Sequence, residues 1–470
     1  MRFNRILIWA LPVVMLASCK DFLDVKPKTQ IDADVAFDDE QGFMDALTGV
    51  YLNMSVDALY GKELSYGLLD VLGQQHTRFV STFHEYYDAS FYRYTNDSVR
   101  RKTDGIYKAM YKTLANDNNL IANLATVNRR MFRDSNYAII NGEAHALRAF
   151  MHFDLLRLFG PSPAAPGGGA TKAIPYMDVL TVDALPRLTV AEVLTRIQAD
   201  LTIAAAALKT ADPIVTGSVA PTSTYLRERY YKVNYYAVKA LQARVYLYAG
   251  DKVNALAAAR EVIGSGVFTF TPEPEMRSGN NVFTQELVFT FFKADMAAIT
   301  TNYFTPGGNS LLTKNSDNEF KEVYEGTNDY RYVRITELQD SSSLLRLSTK
   351  LQQSAGTSAA YLRKLPIIRV SEMYYIAAEC LKTTDPAAAV EYLNIVRRAR
   401  NITADLSAGL TEAQLQNEIF KEYRKDLYLE GQLFYYYKRL NLPQIGAVNA
   451  NNTIYVLPLP DSEVEYGNGK

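Results

Sequence analysis

The chain has 470 residues, with 50 Lys and Arg against 51 Asp and Glu and a formal net charge of −1. That balance, without a long basic run, lacks the electrostatic footprint of a nucleic-acid binder. The length suffices for a large core in one domain or several, while two cysteines exclude a disulfide-built scaffold.

The chain opens MRFNRILIWALPVVMLASC. Arg2 and Arg5 give a positive start, Ile6 to Met15 an apolar run broken by Pro12, and Leu16-Ala17-Ser18-Cys19 a small-residue ending. That order predicts a bacterial secretion signal over 1–18, too short to cross a bilayer as a helix. The ending resembles a lipobox, so Cys19 is the expected lipidation site and the membrane is reached through its acyl chains. Residues 19–40, polar and carrying Pro27, read as a tether. The folded domain is expected over 41–470. The single tryptophan, Trp9, falls in the signal, whereas all 33 tyrosines follow it.

Asp38-Asp39-Glu40 opens a first amphipathic helix near 41–55, with Phe43, Ala46, Leu47 and Tyr51 on one stripe. Residues 60–97 are irregular and aromatic-rich. Helical period returns over 104–133, with Ile106, Met110, Leu114 and Leu120-Ile121 on a face, and again over 136–160. Pro161-Ser162-Pro163 and Pro166 to Gly169 end that helix. Thr189, with Glu192 three residues on, predicts a capping box for a helix over 189–208, and 209–224 is a Thr/Pro/Ser loop. Residues 231–249 and 251–264 predict a helical hairpin turning at Gly250-Asp251. An irregular insert spans 266–365, with short strands such as Leu287 to Phe292. Helices resume at 366–383, 386–400 and 411–440, followed by a Pro/Asn-rich tail. Arg397, Arg398 and Arg400 read as a solvated, salt-bridged face. Cys380 follows Ala377-Ala378-Glu379 and reads as a small buried hydrophobe.

Helical pairs thus recur near 41–55, 104–160, 189–264 and 366–440. Ala237, Ala240, Leu241 and Tyr248 share one stripe, and Ala255, Ala258, Ala259 and Val262 share the next. Tyr374, Ala377, Ala378 and Leu381, then Ala389, Leu393 and Val396, repeat the arrangement. Small facing residues let helices approach closely, as in stacked tetratricopeptide-type pairs. The fold class is mainly α.

Several stretches then carry a resemblance to the SusD/RagB family. They are Asp21 to Pro27 after the cysteine, GEAHALRAFMHFDLLRLFGPSP over 142–163 and NYYAVKALQARVYLYAGD over 234–251. LPIIRVSEMYYIAAEC over 365–380, EYLNIVRRARN over 391–401, and Glu422 to Arg439 with its Glu430-Gly431 pair complete the set. Leu433 and Tyr436 stand where the family often has arginine and aspartate, which exchanges a polar contact for apolar packing. The family's surface tryptophans are absent, which weakens a starch-like ligand. The resemblance implies a SusD-like fold, helical pairs on one side and a loop-rich ligand-binding face on the other. It implies an outer-membrane lipoprotein facing the cell exterior. It also implies a partner, a SusC-type TonB-dependent transporter, and oligosaccharide cargo, with peptide as the alternative.

Catalytic signals are missing. His145 and His152 share a helix face without a third ligand at fitting spacing, so hydrogen bonding within the fold is the better reading and no metal is expected. Gly167 to Lys172 lacks the order of a phosphate loop, and no Gly-x-Ser-x-Gly elbow occurs. No cofactor and no enzymatic activity are expected. The binding candidate is 76–97, HTRFVSTFHEYYDASFYRYTND, aromatic without helical period. Tyr86, Tyr87, Tyr92 and Tyr94 offer planes for sugar C–H faces, and Asp88, Arg93 and Asn96 offer partners for hydroxyls. The resemblance places this stretch at the ligand face. Residues 294–332, with Tyr303, Phe304, Asn309, Tyr324 and Asn328, form a second candidate. A protein-binding scaffold without small ligand, or a surface hydrolase, are the competing readings.

Overall fold

The computed structural model describes residues 36–217, 225–308, 310–326, 328–340 and 344–467. The signal, Cys19, most of the tether and Asn309 lie outside them. Among the described residues no helix is long and apolar enough to cross a membrane.

The first helix, α1 (Glu40–Met54), starts where the Asp39 carboxylate accepts the Gly42 amide at 2.9 Å, satisfying one of the four free N-terminal donors. It buries Phe43, Leu47, Val50, Tyr51 and Met54. Helix α2 (Asp97–Thr126) begins earlier than the periodicity predicts, because Asn96 caps it through the Ser98 amide. Helix α3 (Asn136–Phe159) follows. The predicted capping box of α4 (Val190–Ala211) is present, with Thr189 and Glu192 bonded reciprocally. The hairpin of α5 (Tyr235–Ala249) and α6 (Lys252–Gly264) turns at Gly250, whose φ of 83° suits glycine. Helices α7 (Val370–Leu381), α8 (Pro386–Ala399) and α9 (Glu412–Asp426) complete the long elements.

These helices stack in sequence order. α3 lies on α4, α4 on α5, α5 on α6, α6 on α7, and α7 on both α8 and α9. The small residues set the spacing: Ala237, Ala240, Ala255, Ala258, Ala259, Ala377, Ala378 and Ala389 are all buried. At the α3–α4 crossing a Cβ on Gly142 would stand 2.8 Å from Leu208 Cγ, so only glycine permits that approach.

Four two-stranded antiparallel sheets occur among the described residues. The central one pairs Leu287–Phe292, the strand expected from sequence, with Lys364–Arg369. Residues 366–369, read from sequence as the start of a helix, are therefore strand. Their buried, β-branched run is shared by both element types. The helix predicted over 411–440 is also broken: α9 ends at Asp426 and a separate helix spans Leu433–Arg439. Between them Leu429 and Gly431 take φ of 66° and 67°. Their amides reach the buried Asp70 carboxylate at 2.6 and 2.9 Å.

Helix α3 is buried almost all round, and its polar residues are spent on internal bonds. Glu143 accepts from Tyr51 and Arg229 at 2.7 and 2.6 Å. His145 meets Asp200 at 2.8 Å, while His152 bridges the Arg148 carbonyl and the Met177 amide, both at 2.9 Å. Asp154 holds Tyr60 and Arg157. Both histidines thus hydrogen-bond within the fold. Cys380 is buried, and burial pushes its thiol up to about 12.

The arginine cluster departs from expectation. Only Arg398 is on the surface, between Glu391 and Asp405. Arg400 is wholly buried and bridges Glu286 at 2.7 Å to Asp426 at 3.2 Å. Arg369 holds Glu430 at 2.9 Å, and Arg331 reaches Glu422 at 2.8 Å and Asp329 at 2.7 Å. Arg397 is buried too, 3.4 Å from Glu422. Burial by itself raises Asp426, but Arg400, Arg331 and Arg369 overcome it and hold the carboxyl well below its usual range. Helical spacing groups Arg397, Arg398 and Arg400 at the end of α8, but does not reveal that Arg331 and Arg369 join them around acids from three distant segments.

Candidate functional site

The two segments singled out by sequence meet on one face. The Thr77 and Arg78 amides donate to the Thr313 carbonyl at 3.0 and 3.2 Å, and the Asn315 amide donates to Thr77 Oγ1 at 3.0 Å. Beneath them Lys314, fully buried, donates to the Gln75 carbonyl at 2.7 Å. Burial, with Arg424 nearby, lowers its pKa to about 7. The His84 ring lies against the Ser310 and Leu311 backbone.

Behind this seam sits a polar cluster that the sequence reading missed. Lys102 lies 2.7 Å from Glu85 and 3.0 Å from Glu63; Lys62 lies 3.4 Å from Glu85 and 3.3 Å from Glu63. The Tyr303 hydroxyl donates to Glu85 at 2.9 Å, and the Tyr86 hydroxyl to Glu63 at 3.0 Å. Burial opposes ionisation of Glu85, yet Lys102, Lys62 and Tyr303 hold it at about 2. Two ammonium groups face two carboxylates, so the cluster carries no net charge and combines donors with acceptors. Nothing local announces it, since its members come from four places in the chain.

The predicted tyrosines divide. Tyr86 is fully buried, with Lys102 4.4 Å from its ring centre. Tyr92 and Tyr94 are buried, their hydroxyls spent on the Leu72 and Ile454 carbonyls at 2.8 and 2.6 Å. Tyr324 is buried against Tyr332 and bonds the Lys425 carbonyl at 3.4 Å. Tyr303 is buried with its hydroxyl on Glu85, and Phe304 is core. As stacking planes these residues are corrected: their rings are packed and present no face. Asn96 is exposed but serves as the α2 cap. Asn328 is exposed away from the seam, its carbonyl bound by Asn401.

What the segment does expose is different. Phe83 is 97% exposed and Val80 80%. Phe91, half exposed, packs on Tyr87 at 5.1 Å. Arg93 lies 4.9 Å from the Phe91 ring centre and is held by Asp88 at 3.1 Å. Tyr87, Asp88 and Arg93 therefore stay at the surface as one group. Phe83 carried only a partial signal: its neighbours at strand spacing, Ser81 and Glu85, are polar, but Phe79, Val80, Tyr86 and Tyr87 stand at helical spacing from it.

A cleft of about 890 Å³ lies elsewhere, at the start of α1. Its walls are mostly charged, including Asp39, Glu40, Arg133, Glu228 and Lys232. Small-ligand sites are more often apolar with few polar groups.

Comparison with known proteins agrees with the fold. Residues 21–247 match a SusD-like family described as starch-binding associating with the outer membrane, and residues 276–457 match the SusD family. SusD-like protein P2 of Formosa agariphila is 24% identical over 531 aligned positions, covering 96% of this chain and 95% of that protein. A SusD superfamily protein from Bacteroides thetaiotaomicron superposes with a TM-score of 0.70 at 22% identity, over 93% of this chain and 98% of its own. A laminarin-binding SusD-like protein does so at 0.67 and 17%, over 92% and 98%. With both halves matched in order and the whole architecture shared, the chain belongs to the SusD/RagB family.

Proposed function

We propose that this protein captures oligosaccharides at the cell surface and passes them to a SusC-type TonB-dependent transporter, without chemistry of its own. The lipid on Cys19 anchors it in the outer membrane. The observation that carries the reading is the 76–96 face. Phe83 and the Tyr87–Phe91–Arg93 group supply apolar planes, beside a cluster whose charges cancel. Planes with balanced donors and acceptors suit a neutral, hydroxyl-rich ligand; a strongly charged one finds no uncompensated patch in the cluster. The matched family is described as starch-binding, and one protein of similar fold is laminarin-binding, which supports the same reading.

The test is calorimetric titration of the full chain with neutral oligosaccharides, uronate oligomers and peptides, with product analysis of each mixture. Binding of a neutral glycan, lost in Phe83→Ala and without turnover, is the expected result. Peptide binding alone would replace the cargo, and robust hydrolysis would end the binding-only reading.

A further inference from the structure

The loop between Met177 and Leu185 carries apolar side chains that the fold leaves in water. Val179 and Leu180 are each more than half exposed, and Val182 has no cover at all. Val464 and Tyr466, on the short helix Asp461–Tyr466, are also exposed, and Tyr466 borders the same cleft as Val182. Loose packing does not explain this, because three helices pin the loop's backbone. Asn118 of α2 donates to the Met177 carbonyl at 2.8 Å and Arg148 of α3 to the Asp178 carbonyl at 3.2 Å, while Arg196 of α4 holds the Asp178 carboxylate at 2.5 Å. Such a grouping differs from the scattered single apolar residues of an ordinary surface. Beside it runs a basic stripe. Arg101, Lys108 and Lys112 fall within about 40° of one another around α2 by helical spacing. All three are exposed, and Lys108 lines the cleft with Val182 and Tyr466. Arg100 binds Asp104 and Asp461 at 3.2 and 2.5 Å, and Asp183 and Glu465 are exposed. The rim is therefore mixed in charge, and the apolar tip sets the kind of partner.

We propose that this loop dips into the lipid surface that carries the Cys19 anchor and so fixes the orientation of the anchored protein. The inference rests on the lipid-anchor reading and extends it. Lipid is the occupant because of where the anchor enters. Asn118 lies about 12 Å from the C-terminal end of α2 at 1.5 Å per residue. Just past that end, the Arg133 amide and the Asn136 side chain donate to Glu40, at the start of α1, at 2.9 and 2.8 Å. The loop thus stands at the same end of α2 as the entering chain. A fully extended link from Cys19 to Ala36 reaches at most about 60 Å, which keeps an acyl surface within range. A side chain bare on every side, as Val182 is, suits insertion into a fluid layer better than a close-packed protein face. Apolar side chains that enter the headgroup boundary are buried there by about 5–10 Å. Lys108 and Lys112 lay their stems along it with the ammonium groups at the phosphates, and a tyrosine such as Tyr466 suits the same depth. So few side chains hold less than an acyl chain does, and the contact orients the protein without retaining it.

Past the signal the chain has no tryptophan, so Val182→Trp places a single reporter at the loop tip. The lipidated protein is reconstituted in phosphatidylethanolamine–phosphatidylglycerol vesicles with and without brominated lipid, which quenches tryptophan in the acyl region. Val253→Trp, on α6 and 80% exposed, is the control. All substituted positions are exposed, so melting temperatures are expected to stay level. Val182→Trp is expected to be quenched several-fold more strongly than Val253→Trp, and adding Leu180→Asp is expected to remove the difference. Equal quenching at the two positions would overturn the contact and leave anchoring standing. So would emission from Val182→Trp that shifts to the blue only when a TonB-dependent barrel is added, or only as protein concentration rises. The loop would then cover the barrel or a second copy. A protein that does not stay with the vesicles at all would remove the lipid anchor and the contact together.

Discussion

Phe83 and Tyr86 lie three residues apart and are used in opposite ways. Tyr86 is sealed in the core with its hydroxyl on Glu63, whereas Phe83 is in water. Tyr86→Ala is expected to cost about 3–5 kcal/mol, as for other buried aromatics, and Phe83→Ala to stay within about 0.5 kcal/mol while weakening ligand binding. Urea denaturation and titration of the two variants separate these effects. The sequence shows the density of rings between 76 and 97 but not this division. Without helical or strand period, burial is decided by partners such as the Ile454 carbonyl, 360 residues from Tyr94. His152 offers a pH test. Burial holds its pKa at about 3, against the pull of its bond to the Arg148 carbonyl. An unfolded histidine near 6.5 protonates first, so this contribution is full above pH 6.5 and is lost as pH falls toward 3. At pH 5.5 the loss is about 1.4 kcal/mol. Asp70, raised by burial to about 7, works in the opposite sense. The measurement is therefore the stability change from pH 7 to 5.5 in wild type minus that in His152→Gln, where Asp70 cancels. Equal changes in the two proteins would show that His152 does not protonate on unfolding.

At the scale of elements, helices with strong caps and regular stripes were legible: Thr189 with Glu192, and the alanine-lined hairpin around Gly250, fall where the pattern puts them. Two boundaries were not. Residues 365–370 read LPIIRV, apolar enough for either element, and pairing with Leu287–Phe292 decides for strand. The break after Asp426 has no proline; it is imposed by Asp70, which draws the Leu429 and Gly431 amides out of helical register. A Cβ on Gly431 would also meet the Leu64 carbonyl at 2.6 Å. Arg400 ties α8 to the turn at Glu286 and to the end of α9. Arg400→Met leaves Glu286 and Asp426 buried with a lost partner, and a loss of about 3–5 kcal/mol is expected. Chemical denaturation measures it; a loss under 1 kcal/mol would mean the remaining arginines reorganise to compensate.

For the whole molecule, the lipobox-like ending and the family membership give a cellular prediction. Cys19→Ala is expected to move the protein from the membrane fraction to the soluble exported fraction, with its melting temperature unchanged. Gentle-detergent capture of the wild type is expected to bring a TonB-dependent barrel with it. Retention of Cys19→Ala in the membrane without such a barrel would count against lipid anchoring. The clamp between Asp70 and the 429–431 turn bears on how such a chain is made. Its contacts join residues 359 and 361 positions apart, and Arg100 reaches the Leu459 carbonyl across another 359. Ribosomes deliver the N-terminal partners first, so Asp70 and Arg100 wait for groups synthesised last. Contacts of such long separation form late. Closure belongs to the final residues delivered, which makes the C-terminal segment a latch on maturation.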